Sequence, residues 1–315
     1  MPTATDRLWT DTYRLGAAVA RGTPSGVVPD IAALLGPALA LAMPARRRLV
    51  LRHQRRARGG RFGALAERRA VQAAFESYAR YWIESFRLPA MRASDIDRHM
   101  EVVGWHNVVA GRDAGRGVIL ALPHMGGWEW AGFWLATCRR IPMTVVVETI
   151  EPPELFDWFR RLRESMGMTV VPLGPKAAGV VSAALQRNEV VCLLSDRDVT
   201  GTGLDVPFFG EVTKLPGGPA TLGLRSGAPV LPTAVYFRGR RGHLGLVGEP
   251  LPLERRGRLR DDVQDGTVRL AGELERLIRR APEQWHLFQP NWPSDHASLA
   301  STQQRRMFPP IAARS

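Results

Sequence analysis

The chain has 315 residues, a formal net charge of +13, 45% apolar and 23% charged residues, and two cysteines. This length supports one large domain or two small ones with a substantial core. Two cysteines exclude a disulfide scaffold, and the histidines show no metal-ligand spacing. The positive charge is almost all arginine, since Lys176 and Lys214 are the only lysines. It favours an anionic partner: a phosphate-bearing ligand, an acidic lipid surface or nucleic acid.

Residues 1 to 58 read as helical and basic. Within them "IAALLGPALALAM" (31 to 43) is too short to span a bilayer, which takes about 20 residues, and Pro37 interrupts it. It lacks the flanks of a secretory signal. Two readings stay open, a core helix and a helix resting in a membrane interface, with Arg46, Arg47 and Arg48 placed to meet acidic headgroups. "RGGRFG" (58 to 63) reads as a loop. From Ala66 to Leu88, Val71, Phe75, Tyr78, Trp82 and Phe86 recur at helical spacing, and Pro89 ends the helix.

The pattern then changes. "GVILALP" (117 to 123) is a short continuous apolar run, as expected of a strand buried on both faces. A helix over "WEWAGFWLATC", a strand at 143 to 148, a helix at 153 to 167 and a strand at 169 to 173 follow. A helix from Ala177 to Asn188 and a strand at 190 to 196 continue the alternation. Such alternation predicts an α/β fold: a central, mostly parallel sheet flanked by helices. Consecutive strands at 229 to 239 and 243 to 251 make the sheet mixed, and a last helix runs from Asp262 to Arg280. We expect a helical N-terminal region over 1–65, with membrane contact as one of its two open readings, an α/β domain over 66–300 and a flexible tail over 301–315.

The first buried strand ends in Pro123 and His124, followed by Gly126, Gly127 and Glu129. Open α/β sheets bind ligands at the carboxyl ends of their strands, and paired glycines let backbone approach a ligand closely. His-x4-Glu is weak as a bare pattern; its placement lifts it. A neutral imidazole is the natural base for removing an alcohol proton near pH 7, with a carboxylate fixing its tautomer. Glu129, in the first helical turn, is near enough to reach back. No Gly-x-Ser-x-Gly elbow occurs, so the nucleophile would be a substrate hydroxyl.

A second cluster, Asp196, Arg197 and Asp198, follows the buried run "VVCLL". Charges there are costly unless paired or solvated. Either the loop is merely salt-bridged, or Asp196 orients His124 and Arg197 contacts an acyl carbonyl or phosphate. Cys138 and Cys192 read as buried, reduced thiols. "KLPGGPATLGLRSG" (214 to 227) reads equally as a phosphate cradle and as a tight turn, and the aromatic stripe at 155 to 166 as core or as the wall of an acyl groove.

Together, "LALPHMGGWEWAG", "VVCLLSDRDVTGTGLDVPFFGE" and "LPGGPATLGLRSGAPVLPTAVYF" resemble bacterial lipid acyltransferases of the lipid A lauroyl/myristoyl type. Within these, the chain is most similar to actinobacterial phosphatidylinositol mannoside acyltransferases. "ESYARYWIESFRLP", "RESMG" and "WHLFQPNW" add to the likeness, which covers about residues 66 to 293. The resemblance implies transfer of a long, palmitoyl-type chain from acyl-CoA to a mannose 6-hydroxyl of phosphatidylinositol mannoside. It also implies a peripheral protein on the cytoplasmic face of the plasma membrane, with no metal and no cofactor beyond the acyl-CoA substrate. It places the catalytic pair on His124 and Asp196, with glutamate in the family pattern where this chain has the shorter aspartate. Glu129 then supports the site, and Glu148, Arg163, Arg197 and Asp198 serve substrate. His286 reads as structural. Related readings are acyl carrier protein as donor and another lipid as acceptor. A hydrolase lacks its nucleophile elbow, and a nucleic-acid binder lacks a motif and leaves the charged strand ends unexplained.

Overall fold

A computed structural model describes residues 16, 18–149 and 153–297. The N-terminal end of the expected helical region (1–15), residues 298–300 and the expected tail (301–315) lie outside the described residues.

Past helical residues at 18–22, the N-terminal region holds α1 (Val28–Ala42), α2 (Pro44–Ala57) and α3 (Ala64–Arg87). α1 is built inside out for a soluble helix. Its small residues Ala32, Gly36 and Ala40 are buried, and a Cβ at Gly36 would stand 2.7 Å from the backbone nitrogen of Glu76 on α3. The large ones face outward, Leu34 at 77% and Leu41 at 73% exposure. Among the described residues no single helix is long and apolar enough to cross a membrane; α1 and α2 meet that test only as a pair, bent by 108°.

The α/β region follows as α4 (Ala93–Arg98), β1 (Met100–Val103), α5 (Trp105–Asp113), β2 (Val118–Leu122), α6 (Trp128–Phe133), β3 (Met143–Val147), α7 (Pro153–Glu164), β4 (Met168–Pro172), α8 (Ala177–Gln186) and β5 (Val190–Leu194). It closes with β6 (Leu204–Phe208), β7 (Glu211–Leu215), α9 (Gly218–Ser226), β8 (Val230–Arg238), β9 (Gly242–Val247) and α10 (Leu259–Arg280). The seven-stranded sheet has the order β1-β9-β8-β2-β5-β3-β4. Its pairings are parallel except β8 with β9. The expected mixed α/β sheet is therefore present. Elements the alternation did not predict are α4, β1, α5 and the separate β6–β7 hairpin. The expected helix over 128 to 138 changes to a π-turn from Trp134 to Cys138.

All five residues of β2 are buried, because this central strand packs on both faces. One face, with Ile119, Ala121 and Val191, packs under α8, α9 and α10. The other, with Leu120, Leu122 and Met143, packs under α6 and its π-turn, where Trp130, Phe133 and Trp134 lie. The stripe on α7 is mainly packing: Leu155 and Phe159 bury against Phe86 of α3.

Candidate active site

Parallel register brings the first two charged strand ends together. β2 and β5 pair Leu122 with Leu194, and each chain runs on by two residues, to His124 and Asp196. The Ser195 amide donates to the Leu122 carbonyl at 2.8 Å, extending the pairing to the point of contact. There His124 Nδ1 stands 2.7 Å from Asp196 Oδ1. The carboxylate accepts, so Nδ1 carries the proton and Nε2 is left as the basic nitrogen. The His124 side chain is 28% exposed, while that of Asp196 is fully buried. Burial pushes the Asp196 carboxyl up, but the charge and hydrogen bond of His124 and the Trp285 indole outweigh it, and the net shift is downward.

The second anchor of Asp196 was not legible in the sequence. Trp285 Nε1–H donates to Asp196 Oδ2 at 2.7 Å, and Asn291 Nδ2 donates to the Asp196 carbonyl at 3.2 Å. The same segment ties down the other strand end. The His286 amide donates to the His124 carbonyl at 2.8 Å, and the Gly126 amide to the Gln284 carbonyl at 2.9 Å. "WHLFQPNW" is thus a strap over both strand ends. Its sequence signal was its place among the blocks of the family likeness, which gave it no partner. His286 Nε2 lies 2.8 Å from Ser77 Oγ, and its buried Nδ1 has no hydrogen-bond partner among the described residues. Burial, with the charge of His124 adding to it, lowers the His286 pKa to about 3, so this ring is neutral. His286 also lines the cavity beside His124, a place the structural reading of it did not foresee.

The two glycines serve close approach. Gly126 has φ of +53°, and a Cβ there would stand 2.2 Å from the Val235 carbonyl oxygen. A Cβ at Gly127 would meet the His243 ring at 2.3 Å. His243 is buried, stacked on Trp130 with centroids 4.1 Å apart, and bonded through Nε2 to Glu84 at 2.8 Å.

Glu129 does not reach back to His124. Its carboxylate pairs with Arg163 of α7, which also lies over the Trp128 ring at 5.8 Å. A carboxylate at the first turn of α6 points along the helix flank towards α7 instead of towards the loop before it. Arg197 pairs with Glu148 across the ends of β5 and β3. Asp198 closes its own loop, accepting from the Gly203 and Thr200 amides at 2.8 and 3.0 Å and from Thr200 Oγ1 at 2.8 Å. All seven expected site residues but Asp196 line one cavity of about 570 Å³. Asp196 sits behind its wall, bonded to His124.

The cavity is mostly apolar. It runs from His124 beneath α6 along the sheet face formed by Leu120, Leu122, Cys192 and Val145. Burial pushes the Cys192 thiol up to about 12, which keeps it protonated and unreactive. Among the described residues no group of three or more His, Cys, Asp or Glu is placed to hold a metal ion. The site therefore offers a carboxylate-oriented imidazole and two neutralised arginines at the mouth of an apolar chamber.

Over residues 18–294 the sequence matches the family described as bacterial lipid A biosynthesis acyltransferase. It is 38% identical over 228 residues to the phosphatidylinositol mannoside acyltransferase of Mycolicibacterium smegmatis, covering 71% of this chain and 73% of that one. It is 40% identical over 238 residues to the protein of the same name from Mycobacterium tuberculosis strain H37Rv, covering 74% and 73%. The chain belongs to the bacterial lipid A biosynthesis acyltransferase family and is an acyltransferase.

Proposed function

We propose that this acyltransferase moves a long acyl chain from acyl-CoA to a mannose hydroxyl of phosphatidylinositol mannoside, with His124 as general base. The observation that carries the reading is the His124–Asp196 pair at the mouth of an apolar chamber of about 570 Å³. That volume lies in the range of pockets that enclose a ligand of this size. The acceptor follows from the names of the two mycobacterial relatives.

In this reading His124 Nε2 takes the proton of the sugar hydroxyl while Asp196 stabilises the imidazolium through Nδ1–H. The sugar oxygen attacks the thioester carbonyl, and the C–O bond forms. The tetrahedral intermediate collapses, the C–S bond breaks, and the imidazolium proton goes to the departing thiolate. Arg197 supplies positive charge at the mouth for the carbonyl oxygen or the donor's phosphates, held in place by Glu148. Arg163 and Glu129 brace α6 against α7 beside the same opening. No acyl-enzyme is required.

The membrane reading rests on α1. Its outward Leu34, Leu35 and Leu41, with Met43 just past its end, are followed by exposed Arg46, Arg47 and Arg48. An apolar face flanked by arginines suits the boundary between acyl chains and acidic headgroups. The protein would then sit as a peripheral protein on the membrane leaflet that holds its acceptor, the cytoplasmic one.

Purified protein, palmitoyl-CoA and phosphatidylinositol mannoside, followed by mass spectrometry, test the assignment. The expected product is the acceptor plus one palmitoyl group. It should fall by about 10³-fold or more in His124→Ala and by about 10²- to 10⁴-fold in Asp196→Asn, with both variants folded. A His124→Ala protein that turns over at the wild-type rate would overturn the base assignment. Transfer from acyl carrier protein but not from CoA would overturn the donor.

A further inference from the structure

The chamber has an end. On β2, β5, β3 and β4 its lining runs from Leu122, Leu194 and Val147, level with one another at the site, down to Met143 and Met168. These two methionines are the first residues of their strands and pair with each other across β3 and β4. Met143 is level with Val190, and Val190 with Val118. Neither Val118 nor Val190 lines the chamber, so Met143 and Met168 are its deepest strand residues. Both are almost fully buried, at 2% and 4%.

The strand lining on the other side of β2 is not deep. β2 and β8 pair Ala121 with Pro232, which puts Leu122 level with Thr233. Thr233 pairs with Val247, and Val235 with Gly245. The lining residues of β8 and β9 therefore lie level with the site or beyond it, at the mouth. Along the sheet, the deepest course from His124 runs towards β3 and β4, beside a shallower lining from Trp105 and Val108 of α5.

We propose that Met143 and Met168, under the bare backbone of Gly132, set the acyl chain length this enzyme accepts. The inference rests on the reading of the chamber as the acyl site. Gly132 is on α6, which roofs the chamber, and a Cβ there would stand 3.2 Å from Met168 Cε and 3.8 Å from Met143 Cε. Roof and floor thus meet at the methyl ends of two thioethers. The two methyl groups reach the roof because position 132 carries no side chain, and a larger residue there would push them into the chamber.

The depth gives a length. From Val147 to Met143 is four residues, about 13 Å of strand, and β3 and β4 lie two and three strand places from β2, about 10 and 14 Å. The diagonal is about 16 to 19 Å by these strand spacings. An extended hydrocarbon gains about 1.3 Å per carbon from ordinary bond geometry. Roughly 13 to 15 carbons beyond the carbonyl fit by that geometry, which places the optimum at about C14 to C16.

The test is a competition. Wild type and variants are given an equimolar mixture of saturated acyl-CoAs from C10 to C18 with phosphatidylinositol mannoside, and product masses are read. Gly132→Leu should move the optimum down by at least two carbons, and it also removes a helix-weakening glycine. Met168→Ala should move it up or broaden it towards C18. Gly245→Ala, at the mouth beside Met100, should leave the optimum where it was. Binding of the same acyl-CoAs, measured by native mass spectrometry without acceptor, reads the gauge independently of turnover. An absent product with a shifted binding profile would sink the acceptor reading and keep the gauge. An unchanged profile in Gly132→Leu, or a shift in Gly245→Ala alone, would overturn the gauge.

Discussion

His286 is a titratable group locked in its neutral form. Burial and the neighbouring His124 lower its pKa to about 3, whereas an unfolded histidine titrates near 6.5. Between these values the unfolded chain binds a proton that the folded chain does not. Stability contributed by the neutral ring is present above about pH 6.5 and is lost as pH falls, by about 1.4 kcal/mol per unit. The lowered carboxyls of Asp196 and Glu84 also lose stability on acidification, but only below the ordinary carboxylate range, about pH 4. Denaturant midpoints at pH 7 and pH 4.5 should therefore fall more in wild type than in His286→Gln. Equal falls in the two proteins would show that His286 does not carry the dependence. The residue level was only partly legible beforehand. His124 and Asp196 stood out because each ends a buried apolar run. Trp285, Asn291 and His286 did not, because their partners are at least 89 positions away in the chain, and no local pattern encodes such a meeting.

At the scale of elements, the turn between β2 and α6 carries the most constraint. Gly126 sits at φ +53°, and any side chain there would collide with the Val235 carbonyl. Gly126→Ala must strain the backbone and push β8 away from the strap. We expect a loss of about 2 kcal/mol or more in urea unfolding and at least a tenfold loss of transfer, because His124 moves with the turn. A variant as stable and as active as wild type would show that the turn has another conformation open to it. Elements with strong periodicity or an unbroken apolar run were readable: β2, β5, α3 and α10 lie within a few residues of where the pattern put them. β1 and the β6–β7 hairpin were not. Both alternate buried or half-buried with exposed residues, and each is only four or five residues long. A short edge strand carries little signal against its loops. Glu129 was misjudged for a related reason. Sequence nearness to His124 suggested a pair, while helix geometry sends its carboxylate to Arg163.

Across the whole molecule, α1 and the chamber stand in an ordered relation. α1 packs on α3, whose Tyr78, Tyr81 and Trp82 line the chamber. Arginines edge α1 at both ends: Arg240 of the β8–β9 turn bonds Asp30 and the Gly26 carbonyl at its start, and Arg46 to Arg48 follow its end. If this face rests on lipid, binding should need both apolar area and negative headgroups. Vesicles containing phosphatidylinositol should sediment wild type and lose most of the Leu34→Ser/Leu41→Ser double variant, while turnover of a water-soluble short acceptor stays unchanged. Full vesicle binding by the double variant would remove α1 from the membrane contact.

The ordering of buried strands and helices, the carboxyl-end placement of His124 and Asp196, and the likeness to lipid acyltransferases all follow from local signals: period, burial run and motif. These belong to the chain because neighbouring residues generate them. What the folded molecule alone decided is which distant groups meet. Parallel register set His124 against Asp196, the strap supplied Trp285, and the level of Met143 and Met168 gave the chamber a depth. Such facts depend on strand order and register, which arise from packing the whole sheet at once, and no window of sequence contains them.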